Sequence, residues 1–163
     1  MRDVLNFYYV DQLYADFLRT YDPKVPALSY EAHDKFFCGV VLKVNEKKYY
    51  APISHDTNRQ QTSLLIYDKG RVISSIKFAF MIPVPDNVLN LLDFNTIAQT
   101  DLNYANLLRA EYLFCSRHEQ VILKKATSVY RIGCNKKHRL NPMCCQFSDL
   151  EAHVEEYNKE QKN

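Results

Sequence analysis

The sequence predicts an α+β fold in which helices pack around an antiparallel β-sheet. Strand-like segments fill the first half of the chain, and helical periodicity follows from Asp86 onward, without the regular alternation of a parallel α/β fold. Turn-forming residues join neighbouring strand-like runs, which is typical of antiparallel hairpins. The length of 163 residues suits a single domain spanning residues 1–163.

The strands are predicted from short apolar runs separated by polar or turn-forming segments. They cover residues 7–10, 36–44, 48–53, 62–67 and 72–78, and a further extended segment covers residues 80–85. Residues 45–47 and 68–71 make the two hairpin turns, and Gly70 can adopt the positive φ that such turns need. The prolines of the extended segment place it at a sheet edge or a strand end.

Helices are predicted where apolar residues recur at intervals of three and four. Asp11 is placed to cap a first helix, which the prolines at 23 and 26 end. Asp101 is placed to cap a long helix, and a further helix covers about residues 119–131. The last helix is expected to begin at Ser148, which starts a Ser-x-x-Glu capping box.

Composition excludes several classes of protein. Hydrophobic residues make up 47% of the chain and charged residues 25%, which is typical of a folded globular protein rather than a disordered one. Three glycines are too few for a glycine-rich phosphate-binding loop, and no apolar run approaches the roughly 18 residues of a membrane span. Charge at Arg2 and Asp3 argues against a signal peptide, and five irregularly spaced cysteines favour reduced thiols. We therefore expect a cytoplasmic protein that does not contact a membrane.

Charge is distributed unevenly, although the formal net charge is only +2. Residues 109–139 contain eight Lys and Arg against two Glu, a net charge of +6. Residues 140–163 contain two Lys against five acidic residues, a net charge of −3. A basic segment of this kind is either a solvated helix face or a surface for a polyanion.

A polar segment between two apolar strands is the strongest candidate for chemistry. Ser54, His55, Asp56, Thr57 and Arg59 bring two hydroxyls, an imidazole, a carboxylate and a guanidinium within six positions. Loops held by a rigid sheet often carry functional groups, and imidazole transfers protons near neutral pH. The alternative is a polar hairpin loop with a surface histidine. A Ser–His–Asp triad is not expected, because adjacent side chains on an extended backbone diverge.

The cysteines and histidines do not predict a metal site. Cys134, His138, Cys144 and Cys145 are close in sequence, but they lack a CxxC pair and the spacing of a usual zinc site. We expect at least one buried thiol in the pair Cys144 and Cys145. An enzyme that uses Cys144 or Cys145 with His138 stays open as an alternative, although no local motif supports it.

Several segments that together span most of the chain carry a resemblance to one protein family. They are Phe7-Tyr8, residues 14–26, Lys35-x-Phe-x-Gly-Val-Val-Leu, residues 48–54, Ile76-Lys77-Phe78, residues 80–84, and Leu107-Leu108 with Glu111. In this order and spacing they resemble the ToxN/AbiQ family, the endoribonuclease toxins of type III toxin–antitoxin systems.

The resemblance implies a compact, strongly twisted antiparallel β-sheet flanked by helices, in a bacterial toxin that cleaves RNA without a metal ion or another cofactor. It further implies attack by the RNA 2′-hydroxyl, which leaves a 2′,3′-cyclic phosphate and a 5′-hydroxyl. The implied partners are cellular RNA substrates and a small repeat RNA antitoxin. That antitoxin folds as a pseudoknot, is processed by the toxin, and inhibits it in a toxin–RNA hetero-oligomer. A role in phage defence is implied as well.

The same resemblance places five residues at the active site: Tyr14, Lys35, Ser54, His55 and Thr57. Lys35 would stabilise phosphate charge, while Ser54 and Thr57 would position the scissile group. Better-known members have a hydroxyl residue after the Ser54 position and a lysine at the Thr57 position, so this loop has lost a cation and gained an imidazole. We hypothesise that His55 supplies general acid or base catalysis. Core packing is the alternative explanation for Tyr14, which shares a helix face with apolar residues.

RNA binding requires phosphate contacts and surfaces for base stacking. The candidates for phosphate contact are Arg59, Arg71, Lys124, Lys125, Lys136, Lys137 and Arg139. Of these, Arg59 and Arg71 are expected nearer the active loop. Tyr30, Tyr49 and Tyr50 are candidates for stacking, although tyrosine on a strand also packs in a core. The alternative function is a catalytically inert RNA-binding module with the same sheet, which the missing loop lysine favours.

Overall fold

The computed structural model describes residues 5–27, 29–30, 33–34 and 37–162, and at residues 29–30, 33–34, 38–41 and 158–162 it describes the backbone alone. Its helices are α1 (Gln12–Arg19), α2 (Phe94–Thr100), α3 (Leu102–Arg117), α4 (Glu119–Cys134) and α5 (Phe147–Lys162). Its strands are β1 (Asn6–Val10), β2 (Ser29–Tyr30), β3 (His33–Asp34), β4 (Phe37–Val44), β5 (Lys47–Ser54), β6 (Ser63–Asp68), β7 (Arg71–Lys77), β8 (Ile82–Pro83) and β9 (Leu89–Leu91).

One antiparallel sheet contains every described strand except β2 and β3, which pair with each other. Its strand order is β6–β7–β5–β4–β1–β9, and β8 pairs with β5. Most of β5 pairs with β4, whereas its last two residues, Ile53 and Ser54, pair with Ile76 and Ser75 of β7. The sheet is strongly curled into a half-barrel, and the helices lie mostly in the C-terminal half of the chain. The predicted α+β class with a strongly twisted antiparallel sheet is therefore confirmed.

Both predicted hairpin turns are present. Asn45 and Glu46 have φ angles of 51° and 65°, and Lys69 and Gly70 have φ angles of 50° and 79°. Two successive residues with positive φ make the tight turn whose twist matches that of the flanking strands. The β4–β5 and β6–β7 hairpins are thus fixed by local turn geometry.

Two of the predicted helix starts are wrong in detail. Asp11 lies at the start of α1, but its carboxylate accepts a hydrogen bond from Asn90 Nδ2 at 2.9 Å and caps no backbone N–H. Ser148 lies inside α5, which begins one residue earlier, at Phe147. The third prediction is confirmed, because Asp101 accepts a hydrogen bond from the backbone N–H of Tyr104 at 3.0 Å.

The predicted extended segment at 80–85 begins one residue later than expected, at Met81, because residues 78–80 form a 3₁₀ turn. Ile82 and Pro83 pair with β5, and the backbone N–H of Val84 donates to the carbonyl of Lys48 at 3.0 Å. The helix α2 and the edge strand β9 were not predicted. A local signal for α2 does exist, because Asp93 caps it by accepting the backbone N–H groups of Asn95 and Thr96 at 3.0 and 3.2 Å.

Aromatic residues with polar tips fill the core, and their hydroxyl groups are satisfied there. Tyr14 is fully buried, and its hydroxyl donates to the carbonyl of Pro83 at 2.7 Å. Tyr49 and Tyr130 both donate to the carboxylate of Glu151 on α5. In the part of the chain that the structure describes, no helix is both long enough and apolar enough to cross a membrane.

The buried carboxylate of Asp22 ties the segment after α1 to the start of α5. One of its oxygens accepts the backbone N–H of Lys24 at 3.0 Å, and the other accepts the backbone N–H of Gln146 at 2.7 Å. Burial of a carboxylate is tolerated when both oxygens accept hydrogen bonds. Asp22 therefore holds residues from the two ends of the chain in one place.

Candidate active site

The loop between β5 and β6, residues 55–62, is held in place by hydrogen bonds at its beginning. Ser54 Oγ accepts the backbone N–H of Asp56 at 3.1 Å, and the Asp56 carboxylate accepts the backbone N–H of Asn58 at 3.0 Å. Ser75 Oγ of β7 donates to the backbone carbonyl of Asp56 at 2.6 Å. These contacts fix the path of the polar segment that the sequence identified.

A buried lysine from β7 reaches the same loop. Lys77 Nζ lies 2.7 Å from Asp56 Oδ2 and 3.2 Å from Gln60 Oε1, and its side chain is 8% exposed. The Lys77 ammonium and the backbone N–H of Asn58 hold the pKa of the Asp56 carboxyl below its usual range. Asp56 is therefore an ionised acceptor at neutral pH, which suits a residue that positions its neighbours rather than one that donates a proton.

These groups open into a pocket of about 330 Å³ beside the end of β5, which we call the Lys77 pocket. Its wall combines two lysines, a carboxylate, an amide and a hydroxyl with apolar surface. The residues that line it are Lys24, Pro26, Pro52, Ser54, Asp56, Gln60, Lys77 and Phe80. With two ammonium groups against one carboxylate, the described charged groups of the wall favour an anion.

The structure brings some of the five expected active-site residues to this region and not others. Ser54 lines the Lys77 pocket, and His55 and Thr57 are exposed on the loop that borders it. Lys35 lies outside the described residues. Ser54, His55 and Thr57 therefore remain candidates for catalysis.

Tyr14 is placed in the core rather than at the loop. Its ring packs edge-on against Tyr157 at 5.0 Å, and burial raises the pKa of its hydroxyl far above the usual value. A fully buried phenol that donates to the Pro83 carbonyl is poorly suited to proton transfer. The core-packing explanation accounts for this residue.

Basic residues from two separate segments meet beside the loop. Arg59 and Lys125 line a second pocket, together with Gln60, which also lines the Lys77 pocket. Arg139 Nη2 donates to Gln61 Oε1 at 3.4 Å. We call Arg59, Lys125 and Arg139 the basic ridge. Part of the basic segment at 109–139 is thus adjacent to the candidate active site.

The other expected RNA-binding residues are placed differently. Arg71 sits at the turn end of β7, six residues from Lys77 and so roughly 20 Å from it along the strand. Lys124, Lys136 and Lys137 are exposed. The side chain of Tyr30 lies outside the described residues. Two further stacking candidates are unsuited to stacking because they are buried: Tyr49 and Tyr50.

The geometry argues against a cysteine nucleophile. Cys144 and Cys145 are both buried, and burial raises the pKa of each thiol. Burial therefore disfavours the thiolate that a nucleophile requires. The nearby His138 accepts the backbone N–H of Leu140 at 3.1 Å. Among the described residues, no group of three His, Cys, Asp or Glu side chains lies together in a way that could hold a metal ion.

Comparison with known proteins places the chain in a family. Residues 6–155 match the family model described as toxin ToxN of the type III toxin–antitoxin system. The chain belongs to the ToxN family. It is 30% identical to the endoribonuclease ToxN of Bacillus thuringiensis subsp. kurstaki over 166 residues, which cover 96% of this chain and 86% of that protein.

Two solved structures are similar to this ToxN-family chain. One comes from a type III toxin–antitoxin system in which a non-coding RNA pseudoknot selectively inhibits the toxin; it has a TM-score of 0.87 and 28% identity, and the match covers 96% of this chain and 99% of the other. The other is AbiQ, a lactococcal anti-phage endoribonuclease of a type III system, with a TM-score of 0.84, 25% identity, and coverage of 96% and 99%.

Two residues of this ToxN-family site, Lys77 and Lys24, were not expected from the sequence. A signal for Lys77 exists, since it is the charged residue of the otherwise apolar Ile76-Lys77-Phe78. It also lies two residues after Ser75, so the two side chains lie on the same face of β7. The sequence alone does not show which loop that face meets.

Proposed function

We propose that this chain is the toxin of a type III toxin–antitoxin system, a metal-independent endoribonuclease that leaves 2′,3′-cyclic phosphate and 5′-hydroxyl ends. The observation that carries the proposal is the Lys77 pocket, where a hydroxyl and two ammonium groups line a space beside an imidazole-bearing loop. Membership in the ToxN family and the two endoribonuclease relatives support the same reaction class.

The reaction needs two proton transfers and stabilisation of a crowded phosphorus centre. The 2′-oxygen bonds to phosphorus as its proton passes to a base. The bond from phosphorus to the 5′-oxygen then breaks, and its electron pair leaves with that oxygen, which takes up a proton. His55 is the proposed acid or base, Ser54 and Thr57 position the scissile group, and Lys35 neutralises phosphate charge.

The RNA reaches the Lys77 pocket along the basic ridge. Gln60 lines both the Lys77 pocket and the pocket that holds Arg59 and Lys125, so the two spaces are neighbours. Phosphates on the ridge would hold the strand in register while one phosphodiester enters the Lys77 pocket. The inhibitor that we propose is a repeat RNA pseudoknot, the class of molecule that selectively inhibits the toxin of a structural relative.

Purified protein incubated with mixed-sequence RNA in EDTA tests the function. We expect cleavage without added metal, 3′ ends that carry a cyclic phosphate, and resistance of RNA that has a 2′-deoxy sugar at the cleaved position. Binding without cleavage would instead support the inert RNA-binding module. A short tandem repeat directly upstream of the gene, under the same promoter, would support the antitoxin assignment.

The proposed role of His55 is tested in the same assay. We expect His55→Gln and His55→Ala to reduce the cleavage rate at least about 100-fold, because a positioned acid or base contributes that much. Near-wild-type cleavage by both variants would contradict the role. Thr57→Ala, a change in the same loop, is compared with the two His55 variants. We also expect Lys35→Ala to reduce cleavage more than Thr57→Ala does.

A further inference from the structure

We propose that Lys77 is a catalytic residue of this chain, and that its ammonium group binds the scissile phosphate. This inference rests on the proposed function, because it names the charged group of the same pocket. It extends that function to a residue that comes from β7 rather than from the loop.

The position of the ammonium group is the first argument. Lys77 lines the pocket together with Ser54, and its side chain is 8% exposed. An ammonium group has three N–H donors. Within the described part of the chain, its hydrogen-bond acceptors are Asp56 Oδ2 at 2.7 Å and Gln60 Oε1 at 3.2 Å. One donor is left for an acceptor in the pocket.

The energetics of burial supply the second argument. A buried ion pair is weak evidence for stability, because well-packed apolar residues often serve as well or better. The loop is also anchored without the pair, since Ser75 Oγ donates to the Asp56 carbonyl at 2.6 Å. A cation that is held in place before the substrate arrives is what stabilisation of a developing negative charge requires.

Charge in the pocket suits a phosphodiester. The described charged groups of the wall are Lys24, Lys77 and Asp56, which leave one positive charge in excess. A phosphodiester carries one negative charge, and lysine binds phosphate as a compact point charge. Ser54 on the same wall adds a hydroxyl that can contact the phosphate oxygens.

The register of the sheet places this cation beside the loop. The register that pairs Ser54 with Ser75 brings the end of β7 beside the start of the loop. Lys77 lies two residues further along β7 on the same face as Ser75. Its ammonium group therefore reaches the carboxylate of Asp56 at the start of the loop.

Three variants separate phosphate binding from a purely structural role. Lys77→Met removes the charge at similar size, Asp56→Asn removes the partner charge, and the third variant combines both. Cleavage is measured on RNA, and affinity is measured on a cleavage-resistant 2′-deoxy version over a salt series. Thermal unfolding checks the fold, and Lys77→Gln replaces Lys77→Met if the latter does not fold.

We expect Lys77→Met to lower cleavage at least about 100-fold and to reduce the salt slope of log affinity by about 0.7, the contribution of one phosphate contact on a single strand. Asp56→Asn keeps the Lys77 ammonium, so its slope should stay steeper than that of Lys77→Met, and the double variant should stay as inactive as Lys77→Met. Recovery of the double variant to the Asp56→Asn level, or an unchanged slope in Lys77→Met, would overturn the inference. A wild-type chain that does not cleave RNA overturns the proposed function instead, and the salt slopes still decide whether Lys77 binds phosphate.

Discussion

Ser74 and Ser75 are neighbours on β7, yet their side chains form hydrogen bonds on opposite faces of the sheet. Ser75 Oγ donates to the backbone carbonyl of Asp56, on the face where Lys77 lines its pocket. Ser74 Oγ donates to the carboxylate of Glu111 on α3 at 2.6 Å. Successive side chains of a strand alternate between faces, so one residue step changes the environment completely.

The two faces differ in what their charged groups can reach. Lys77 borders an open pocket, whereas Glu111 is 2% exposed and enclosed by the core. Burial raises the pKa of Glu111 to about 7, and the hydrogen bond from Ser74 opposes that rise. A polar group that is enclosed alters the stability of the fold, and a polar group that faces a pocket is available for chemistry.

The largest expected effect on the enclosed face is a dependence of stability on pH. Glu111 has an ordinary pKa of 4.5, and it is raised to about 7 in the folded chain. Below pH 4.5 both states hold the proton, and the free energy of unfolding that Glu111 contributes is highest. As the pH rises to 7 only the unfolded chain releases the proton, so that free energy falls by roughly 3 kcal/mol and then levels off.

Urea unfolding of wild type and Glu111→Gln at a series of pH values measures this effect. The glutamine variant carries no titrating group at this position, so it should lose the decline between pH 4.5 and 7 that the wild type shows. Equal pH dependence in both proteins would show that Glu111 is ionised in the folded core, and would remove the contrast between the two faces.

The adjacent serines provide the next test, and each is the matched control for the other. Ser74→Ala leaves the buried Glu111 without its donor and should cost about 1–3 kcal/mol of stability, with cleavage unchanged. Ser75→Ala releases the start of the loop and should reduce cleavage about tenfold, at a cost of about 1 kcal/mol in stability. Stability comes from urea unfolding and cleavage from an RNA assay. If Ser74→Ala lost cleavage and Ser75→Ala did not, the assignment of stability to the enclosed face and of chemistry to the pocket face would be wrong.

The smallest expected effect concerns Arg59 and Arg71. Arg59 lines the second pocket and its guanidinium donates to the Tyr67 hydroxyl at 3.2 Å, whereas Arg71 lies at the β6–β7 turn and lines neither of the two pockets. Arg59→Ala should reduce the salt slope of RNA affinity by about 0.7, whereas Arg71→Ala should leave it unchanged. Fluorescence anisotropy with 2′-deoxy substrate measures both slopes. The reverse result would place the RNA at the turn end.

Local patterns predicted those parts of the fold that local chemistry determines. The turns at Asn45 and Gly70 and the helix cap at Asp101 are specified by a few consecutive residues, and all three are present. Asp11 has the same cap-forming side chain, but Asn90 from a distant strand takes its carboxylate. Tertiary contacts thus override a local preference where a competing partner lies within reach.

The candidate site could be predicted only in part for the same reason. The polar loop after Ser54 is visible in the sequence, because it interrupts two apolar runs. The approach of Lys77 depends on the register between β5 and β7, which links residues more than twenty positions apart.

The double hydrogen bond of Asp22 has a consequence for the order in which the protein becomes active during synthesis. Asp22 accepts hydrogen bonds from the backbone N–H groups of Lys24, which lines one wall of the pocket, and of Gln146, which is 124 residues after Asp22 in the chain. In addition, Tyr14 of α1 packs against Tyr157 of α5. A ribosome that adds about 5–20 residues per second must release α5 before this wall can assemble. The wall of the pocket that carries Lys24 is therefore incomplete until α5 has emerged and docked.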